Sequence, residues 1–475
     1  MNSESFFIPE KLSVKGGKAI KGTVEISGAK NSILGLMAAA LLTDEEIVLH
    51  NVPYITDVLE MGHIMLDLGV NVQFNPEKKI LYLHAKKITN NVLNDKALKF
   101  RASYYLWGSL LARFKHTNEF NSLKVCVPGG CSFGGKRPTD FHEQLIKNIF
   151  GAEITEEHDG DKNYLVFGLP KEEPENVNPI YTTAKVSHGA TFHWLLSIAG
   201  TKDFKMMYNS SLEPEVSNLI SMLQKMGLDV IGNESTGLVY NGKNRSLLKG
   251  GIFEVIPDRL EAATYALLAL GARGTVQIKG INLDHCSPWL KQLTKVARNG
   301  IYYSLDKKEM ILDFRDIDGF DGFVMQMSPY PGFETDVQQI WCAVLGLAKT
   351  DSVIVDMIWP GRSAHLLEMQ KFGLQSEFWK LDVASSQNTS SEALFAHIIP
   401  SKIKPATAKG MDLRGTMGII VLASIAKGKS TIKNPEFALR GYPNLVKNLE
   451  GLGIEVVFSK EGSCISSLPI YRIKE

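Results

Sequence analysis

The stretch from Val125 to Phe141, VCVPGGCSFGGKRPTDF, gathers residue types that can move a proton beside an anion. An apolar, β-favouring run ends at Pro128, and a loop with four glycines surrounds one thiol, Cys131. Lys136 and Arg137 follow five and six residues later, then Pro138, Thr139 and Asp140. Glycines let a backbone approach a ligand closely and present its N–H groups. A thiol near fixed positive charge ionises readily and trades protons near neutral pH. An arginine before proline offers a planar guanidinium fork in a set direction. These residues describe an anion-handling loop with a proton-transfer group inside it. The plain alternative is a turn around a small buried hydrophobe.

Other charged residues recur at two kinds of place. Lys30 with Asn31, Arg101, Lys185 with Ser187, Arg259, Asp336 and Arg414 stand at the starts of apolar helical segments. Cys131 with Arg137, Glu213 with Glu215, Arg362 and Arg440 stand in loops between a strand and the next helix. If the units pack alike, all these positions face one end of each domain. Two domains facing each other there would enclose a cleft rich in Arg and Lys, with helix N-termini adding partial positive charge. Such a cleft suits a substrate carrying several phosphates and a carboxylate, which Arg clamps in pairs of hydrogen bonds. Singly, each residue has a duller fate. Arg101 suits a surface ion pair, Lys30 a solvated turn, Asp336 a helix N-cap, and His188 a polar spacer before Gly189.

The elements that would position these groups form six copies of one unit. Each copy has a small-residue apolar helix, a β-branched strand, a loop, an amphipathic helix ending in glycine, and another strand. The first runs NSILGLMAAALL, EEIVLHNV, ITDVLEMGHIMLDLG and VNVQF; the sixth runs MGIIVLASIAKG, KSTIKNP, YPNLVKNLEGLG and IEVVF. Gly69, Gly151, Gly227, Gly300, Gly373 and Gly453 hold the same place in each, where a left-handed residue stops a helix. The first helices are apolar nearly all round and should be buried, while the second helices carry one apolar stripe. The expectation is an α/β chain of two domains with three units each. The boundary falls near Val255-Ile256-Pro257-Asp258, giving residues 30–256 as the domain that carries the Cys131 loop, and 1–29 with 257–475 as the other. The strands Leu12 to Val14 and Gly22 to Ile26 have no place in the first unit and would complete the other domain. The polar insertion Lys171 to Pro179 reads as a surface loop.

Composition sets outer bounds. A chain of 475 residues, 44% hydrophobic and 22% charged, has room for two or three sizeable cores. A net charge of +1 gives no overall field for nucleic acid or an anionic membrane. No signal-peptide core opens the chain, and no apolar run is long enough to span a bilayer. Five scattered cysteines, at 126, 131, 286, 342 and 464, lack metal-ligand spacing and fit a reducing cytoplasm. Cys126 alternates with Val125 and Val127 in a strand and reads as structural.

Over nearly its whole length, Leu12 to about Phe458, the chain resembles the enolpyruvyl transferases. The likeness rests on SGAKN at Ser27, RAS at Arg101, PGGC at Pro128, RPTD at Arg137, KVSHGAT at Lys185, EPE at Glu213, PDRLE at Pro257, FETD at Phe333, GR at Gly361, DLR at Asp412 and RGY at Arg440. The resemblance implies a fold of two domains, each with three βαβαββ units around buried helices. It also implies transfer of the enolpyruvyl group of phosphoenolpyruvate to the 3-hydroxyl of UDP-N-acetylglucosamine, releasing phosphate, with no metal and no cofactor. By the same resemblance Cys131 is the acid that protonates the methylene carbon of phosphoenolpyruvate, and Asp336 is the carboxylate at the acceptor hydroxyl. Lys30, Arg137 and Arg440 match a phosphate clamp, and Arg362 and Arg414 the carboxylate side. Arg137, Pro138, Thr139, Asp140 and Phe141, with Lys185, Val186, Ser187 and His188, match nucleotide-binding segments. Asn31, Arg101 and Ile358 match positions near the acceptor.

The chain departs from that pattern in places. The loop before Arg137 is one residue longer, and His188 replaces a more usual apolar residue. Gln326 and Met327 stand where an arginine and a threonine usually precede the FPTD-like stretch. The acidic residues usual before Arg440 and after Tyr442 are missing. The donor side of the reaction is thus retained more fully than the acceptor side. Three rival readings differ in kind. One is the same chemistry on another nucleotide such as uridine monophosphate. Another is a non-catalytic nucleotide-sugar-binding copy, against which the retained Cys131 and Asp336 argue. The last is an RNA-end-processing enzyme, for which no basic or aromatic stripe is visible. The shikimate-pathway relative lacks support, because its asparagine-alanine-glycine-threonine signature is absent.

Overall fold

The computed structural model describes residues 5–99, 101–126, 140–159, 162–171, 178–183, 185–233, 237–244, 246–297, 299–384 and 390–471. The six apolar segments form helices Lys30–Ala39, Tyr105–Thr117, His188–Ile198, Arg259–Gly271, Thr335–Leu345 and Leu413–Ile425. Their small side chains leave room for close packing, and they are buried almost all round. A Cβ on Gly35 would lie 2.2 Å from the Phe192 ring, and one on Gly418 would lie 2.6 Å from the Gln339 carbonyl oxygen. In each half, then, two buried helices meet where only glycine fits.

Among the described residues, six four-stranded sheets surround these helices and share one arrangement, a parallel edge pair followed by two antiparallel pairs. Amphipathic helices such as Asp140–Phe150 and Pro214–Lys225 complete each unit. Gly69, Gly151, Gly227, Gly300, Gly373 and Gly453 all have φ between 63° and 103°, the left-handed region expected of them. The first unit's sheet is closed by Gly251–Glu254, laid parallel to Glu46–His50. Strand Lys21–Glu25 lies parallel to Thr275–Lys279, and Lys11–Gly16 lies between Gly428–Lys433 and Glu455–Phe458.

Two hydrophobic cores result. One draws on residues 33–255, the other on residues 12–26 and 260–456. Each fully buried Leu, Ile, Val, Phe or Met side chain contributes about 1.5–3 kcal/mol, so cores of this size hold each half together. The C-terminal tail returns to the first half. Leu468 is buried in its core, the Phe74 N–H donates to the Pro469 carbonyl at 2.6 Å, and Tyr471 stacks on Tyr82 with ring centroids 5.2 Å apart.

Besides this tail, the chain passes between the halves at two adjacent points. Gly28 and Pro257 form an antiparallel bridge. The Ala29 N–H donates to Ile256 at 2.7 Å, and the Asp258 N–H to Ser27 at 2.8 Å. Asp258 then caps its own helix, accepting from the Leu260 and Glu261 N–H groups at 2.9 and 3.0 Å, and also accepts from the Lys30 N–H at 3.4 Å. The Glu261 carboxylate accepts from the Ser27 N–H at 2.9 Å and from its hydroxyl at 2.5 Å. Burial, with Asp258 nearby, pushes the Glu261 carboxyl up to about 7.

Candidate functional site

All six buried helices begin at one cleft of about 690 Å³ between the halves. Lys30, Tyr105, His188, Arg259, Thr335 and Leu413 are the first residues of those helices, and every one lines the cleft. Each N-terminus adds partial positive charge, although Asp258, Ser187 and Asp412 already cap N–H groups at three of them. This convergence follows from the repeat, because like units packed around each core place like helix ends together. The resulting volume suits a small molecule of nucleotide size.

The cationic wall comes from both halves. Lys30 Nζ lies 3.0 Å from Asp57 of the first half. Arg440 of the second half reaches the same carboxylate, with Nε at 2.8 Å and Nη2 at 3.2 Å. Burial opposes the charge on Asp57, but Arg440 and Lys30 outweigh it and hold the carboxyl at about 2. Asp57 follows Thr56, the first residue of the amphipathic helix Thr56–Asp67. Sequence reasoning passed over it, although its loop-to-helix position matches that of Glu215 in the third unit.

Asp336 does not cap its helix; Glu334 occupies that position. The Asp336 carboxylate instead accepts from Arg362 Nη1 at 2.6 Å and lies 4.0 Å from Arg414 Nε. Burial opposes its charge, but Arg362 and Arg414 hold the carboxyl well below the usual carboxylate range. Arg362 also donates to the Thr335 carbonyl at 3.1 Å, and Arg414 Nη1 donates to the Tyr442 hydroxyl at 2.8 Å. Both guanidiniums are fixed by these partners before any substrate arrives, which is how preset positive charge is built.

The acceptor side is formed by loops and helix starts. Asn31, Phe141, Lys185, Val186, Ser187, His188 and Ile358 line the cleft. The Phe141 carbonyl accepts from the Tyr181 hydroxyl at 3.0 Å. The Ser187 hydroxyl is used as an N-cap, accepting from the Ala190 N–H at 3.3 Å. The Ile358 N–H donates to Asp356 at 2.8 Å, which sets that loop. His188 lies in the cleft wall, its Nδ1 3.0 Å from Glu213 Oε2 and off the line of a hydrogen bond. Its ring packs on Phe192 with centroids 4.3 Å apart. Burial works against its proton, but Glu213 outweighs burial and raises the His188 pKa.

Cys131, Arg137, Pro138 and Thr139 lie outside the described residues, as do the side chains of Arg101 and Asp140. Phe141, just after that segment, lines the cleft, as does Ala102 beside Arg101. Among the described residues no group of three or more His, Cys, Asp or Glu is placed to hold a metal ion. Among them, too, no helix is long and apolar enough to cross a membrane.

Comparison with known proteins decides the family. Residues 14–449 match EPSP synthase (3-phosphoshikimate 1-carboxyvinyltransferase) as a family. The chain belongs to this family of enolpyruvyl transferases. It is 31% identical over 449 residues to a UDP-N-acetylglucosamine 1-carboxyvinyltransferase of Thermotoga petrophila, covering 94% of this chain and 98% of the relative. The same identity and coverage hold for UDP-N-acetylglucosamine 1-carboxyvinyltransferase 2 of Staphylococcus epidermidis. Among solved structures, the enolpyruvyl transferase NikO from Streptomyces tendae superposes with a TM-score of 0.77 at 19% identity, covering 95% of this chain and all of that one. EPSP synthase from Acinetobacter baumannii gives 0.65 at 14% identity, covering 94% of this chain and 99% of that one. The fold is the two-domain enolpyruvyl transferase fold, and this chain is a transferase enzyme of that family.

Proposed function

We propose that this enzyme transfers the enolpyruvyl group of phosphoenolpyruvate to the 3-hydroxyl of UDP-N-acetylglucosamine in the cytoplasm, releasing phosphate. The domains would divide at residues 29/30 and 256/257. The observation that carries this reading is the meeting of Lys30, Arg362, Arg414 and Arg440 around Asp336 and Asp57 at six helix starts. A donor with a phosphate and a carboxylate needs two separate cationic grips, and the cleft has two. The relatives' name supplies the acceptor.

In this reading Lys30, Arg440 and Arg137 hold the donor phosphate, and Arg362 and Arg414 hold its carboxylate. Cys131 gives its proton to the methylene carbon, which becomes a methyl group. The neighbouring carbon turns electrophilic, and the acceptor oxygen bonds to it as Asp336 takes the hydroxyl proton. A tetrahedral ketal results. Loss of a methyl proton and cleavage of the carbon–oxygen bond to phosphate then give the enol ether. Arg362 holds the Asp336 carboxyl well below the usual carboxylate range, which weakens it as a base. A donor carboxylate on Arg362 would compete for that guanidinium and raise the Asp336 pKa toward a useful range. Domain closure would keep water from the electrophile. Asn31, Arg101, Pro138, Thr139, Asp140, Phe141, Lys185, Val186, Ser187, His188 and Ile358 would receive the nucleotide and sugar.

Phosphate release from phosphoenolpyruvate, measured with several acceptors, tests the reading. Turnover with UDP-N-acetylglucosamine is expected. Release with uridine monophosphate but not with the UDP-sugar would overturn the acceptor and keep the donor chemistry.

A further inference from the structure

Arg259 has no part in gripping the donor as assigned above, yet it is among the most heavily paired side chains of the cleft. It heads its helix in the second domain and is 1% exposed. Its Nε lies 3.2 Å from Glu215 of the first domain, and its Nη2 lies 3.5 Å from Glu213, also of the first domain. Its Nη1 donates to Glu334 of its own domain, and the guanidinium sits 5.0 Å from the centre of the Tyr330 ring. Glu334 is the residue before helix Thr335–Leu345, and its carboxylate is spent on Arg259 rather than on capping that helix. Asp336 follows two residues later.

A single guanidinium among three carboxylates is a poor source of stability, because desolvating so many charges offsets most of their attraction. Its geometry has a clearer use. Separating the domains would take Glu213 and Glu215 away from Arg259 and leave Glu334 with a cation exposed to water. Closing them clamps Arg259 from both sides and fixes Glu334, hence the first turn that carries Asp336. We propose that Arg259 is a positioning residue that makes domain closure and the setting of Asp336 one event. His188, 3.0 Å from Glu213, extends the same cluster to the acceptor wall. The proposal rests on the reading of Asp336 as the group that takes the acceptor proton.

The test uses the full chain and the variants Arg259→Lys, Glu334→Gln and Glu215→Gln. Small-angle scattering is recorded with and without UDP-N-acetylglucosamine, alongside phosphate-release kinetics. Glu215→Gln should widen the molecule and raise the KM for the acceptor. Glu334→Gln should leave the scattering curve unchanged and lower kcat by about tenfold or more, as a misplaced reacting group does. Arg259→Lys should show both effects, since lysine keeps the charge but cannot span three carboxylates. A Glu215→Gln curve matching the wild type, or an Arg259→Lys kcat within about twofold of it beside a lower melting temperature, would overturn the proposal. Should Arg259→Lys fail to fold, the two glutamine variants decide alone. A wild type that releases no phosphate with any acceptor would overturn the proposed function, while the scattering comparison still decides the closure arm.

Discussion

Arg362 donates to Asp336 at 2.6 Å, so the carboxylate assigned to the acceptor's proton is paired with a guanidinium assigned to the donor's carboxylate. The two halves of the reaction are thereby linked: donor binding at Arg362 and base strength at Asp336 cannot change independently. Asp336→Asn should lower kcat by about 10²–10⁴-fold, the usual span for losing a proton acceptor. The same change removes a competing anion from Arg362, so the dissociation constant for phosphoenolpyruvate should fall. Steady-state kinetics with calorimetric donor titration checks both, and turnover within about tenfold of the wild type would remove Asp336 from the mechanism.

Asp57 pairs with both Lys30 and Arg440, the two cations assigned to the donor phosphate, and offsets one of their two charges. Asp57→Asn leaves those cations close together with less compensation. Inorganic phosphate should then bind about tenfold more tightly, as judged by isothermal titration. Unchanged or weaker phosphate binding would show that Asp57 organises the clamp rather than competing with the ligand.

Glu261 at the crossing between domains gives a pH signature. Burial holds its carboxyl at about 7 in the folded protein, against an ordinary 4.5. Below about pH 4.5 both states keep the proton, and the contribution is fully present. From there to about pH 7 the unfolded chain releases its proton first, so stability falls as pH rises. Glu261→Gln removes this loss, while the amide oxygen can still accept from Ser27. The variant should be more stable than the wild type at pH 8 by about 1–3 kcal/mol and close to it near pH 5, by denaturant melts at each pH. A constant difference across the range would refute the assignment.

An epoxide phosphonate resembling phosphoenolpyruvate should alkylate Cys131, where the sequence places a thiol beside the anion clamp. Cys126, Cys286 and Cys342 are buried, and burial pushes the Cys342 thiol well above its ordinary range. Cys464 is exposed and serves as the control for indiscriminate reaction. Peptide mass spectrometry should find the adduct on Cys131, and Cys131→Ala should abolish turnover. An adduct on Cys126 or Cys342 would contradict the reading.

Much of this arrangement was legible in the chain itself. The repeat could be read because each unit carries its own signals, an all-apolar helix and a terminating glycine, and Gly69 through Gly453 took the conformation those signals require. Lys30, Asp336 and Arg414 could be placed at helix starts for the same local reason. What local pattern does not carry is the pairing across the cleft. Asp57 and Arg440 are 383 positions apart, and their contact depends on how two independent cores face each other. Arg259 meets Glu215 through the same relationship, and His188, which reads as a spacer, gains its partner Glu213 only in three dimensions. The tail's return to Phe74 and Tyr82 was equally hidden, since Pro469 and Tyr471 offer no periodicity to read.

The paired crossing at Gly28 and Pro257 also dictates an order of events during synthesis. Strand Lys11–Gly16 is made more than 400 residues before either of its partners, Gly428–Lys433 and Glu455–Phe458. The segment from Lys30 to Val255 can collapse on its own while that strand waits with bare edges. Until Gly428 is made, both edges of that strand lack their partners, and a holdase gripping Lys11–Gly16 would shield them through that interval.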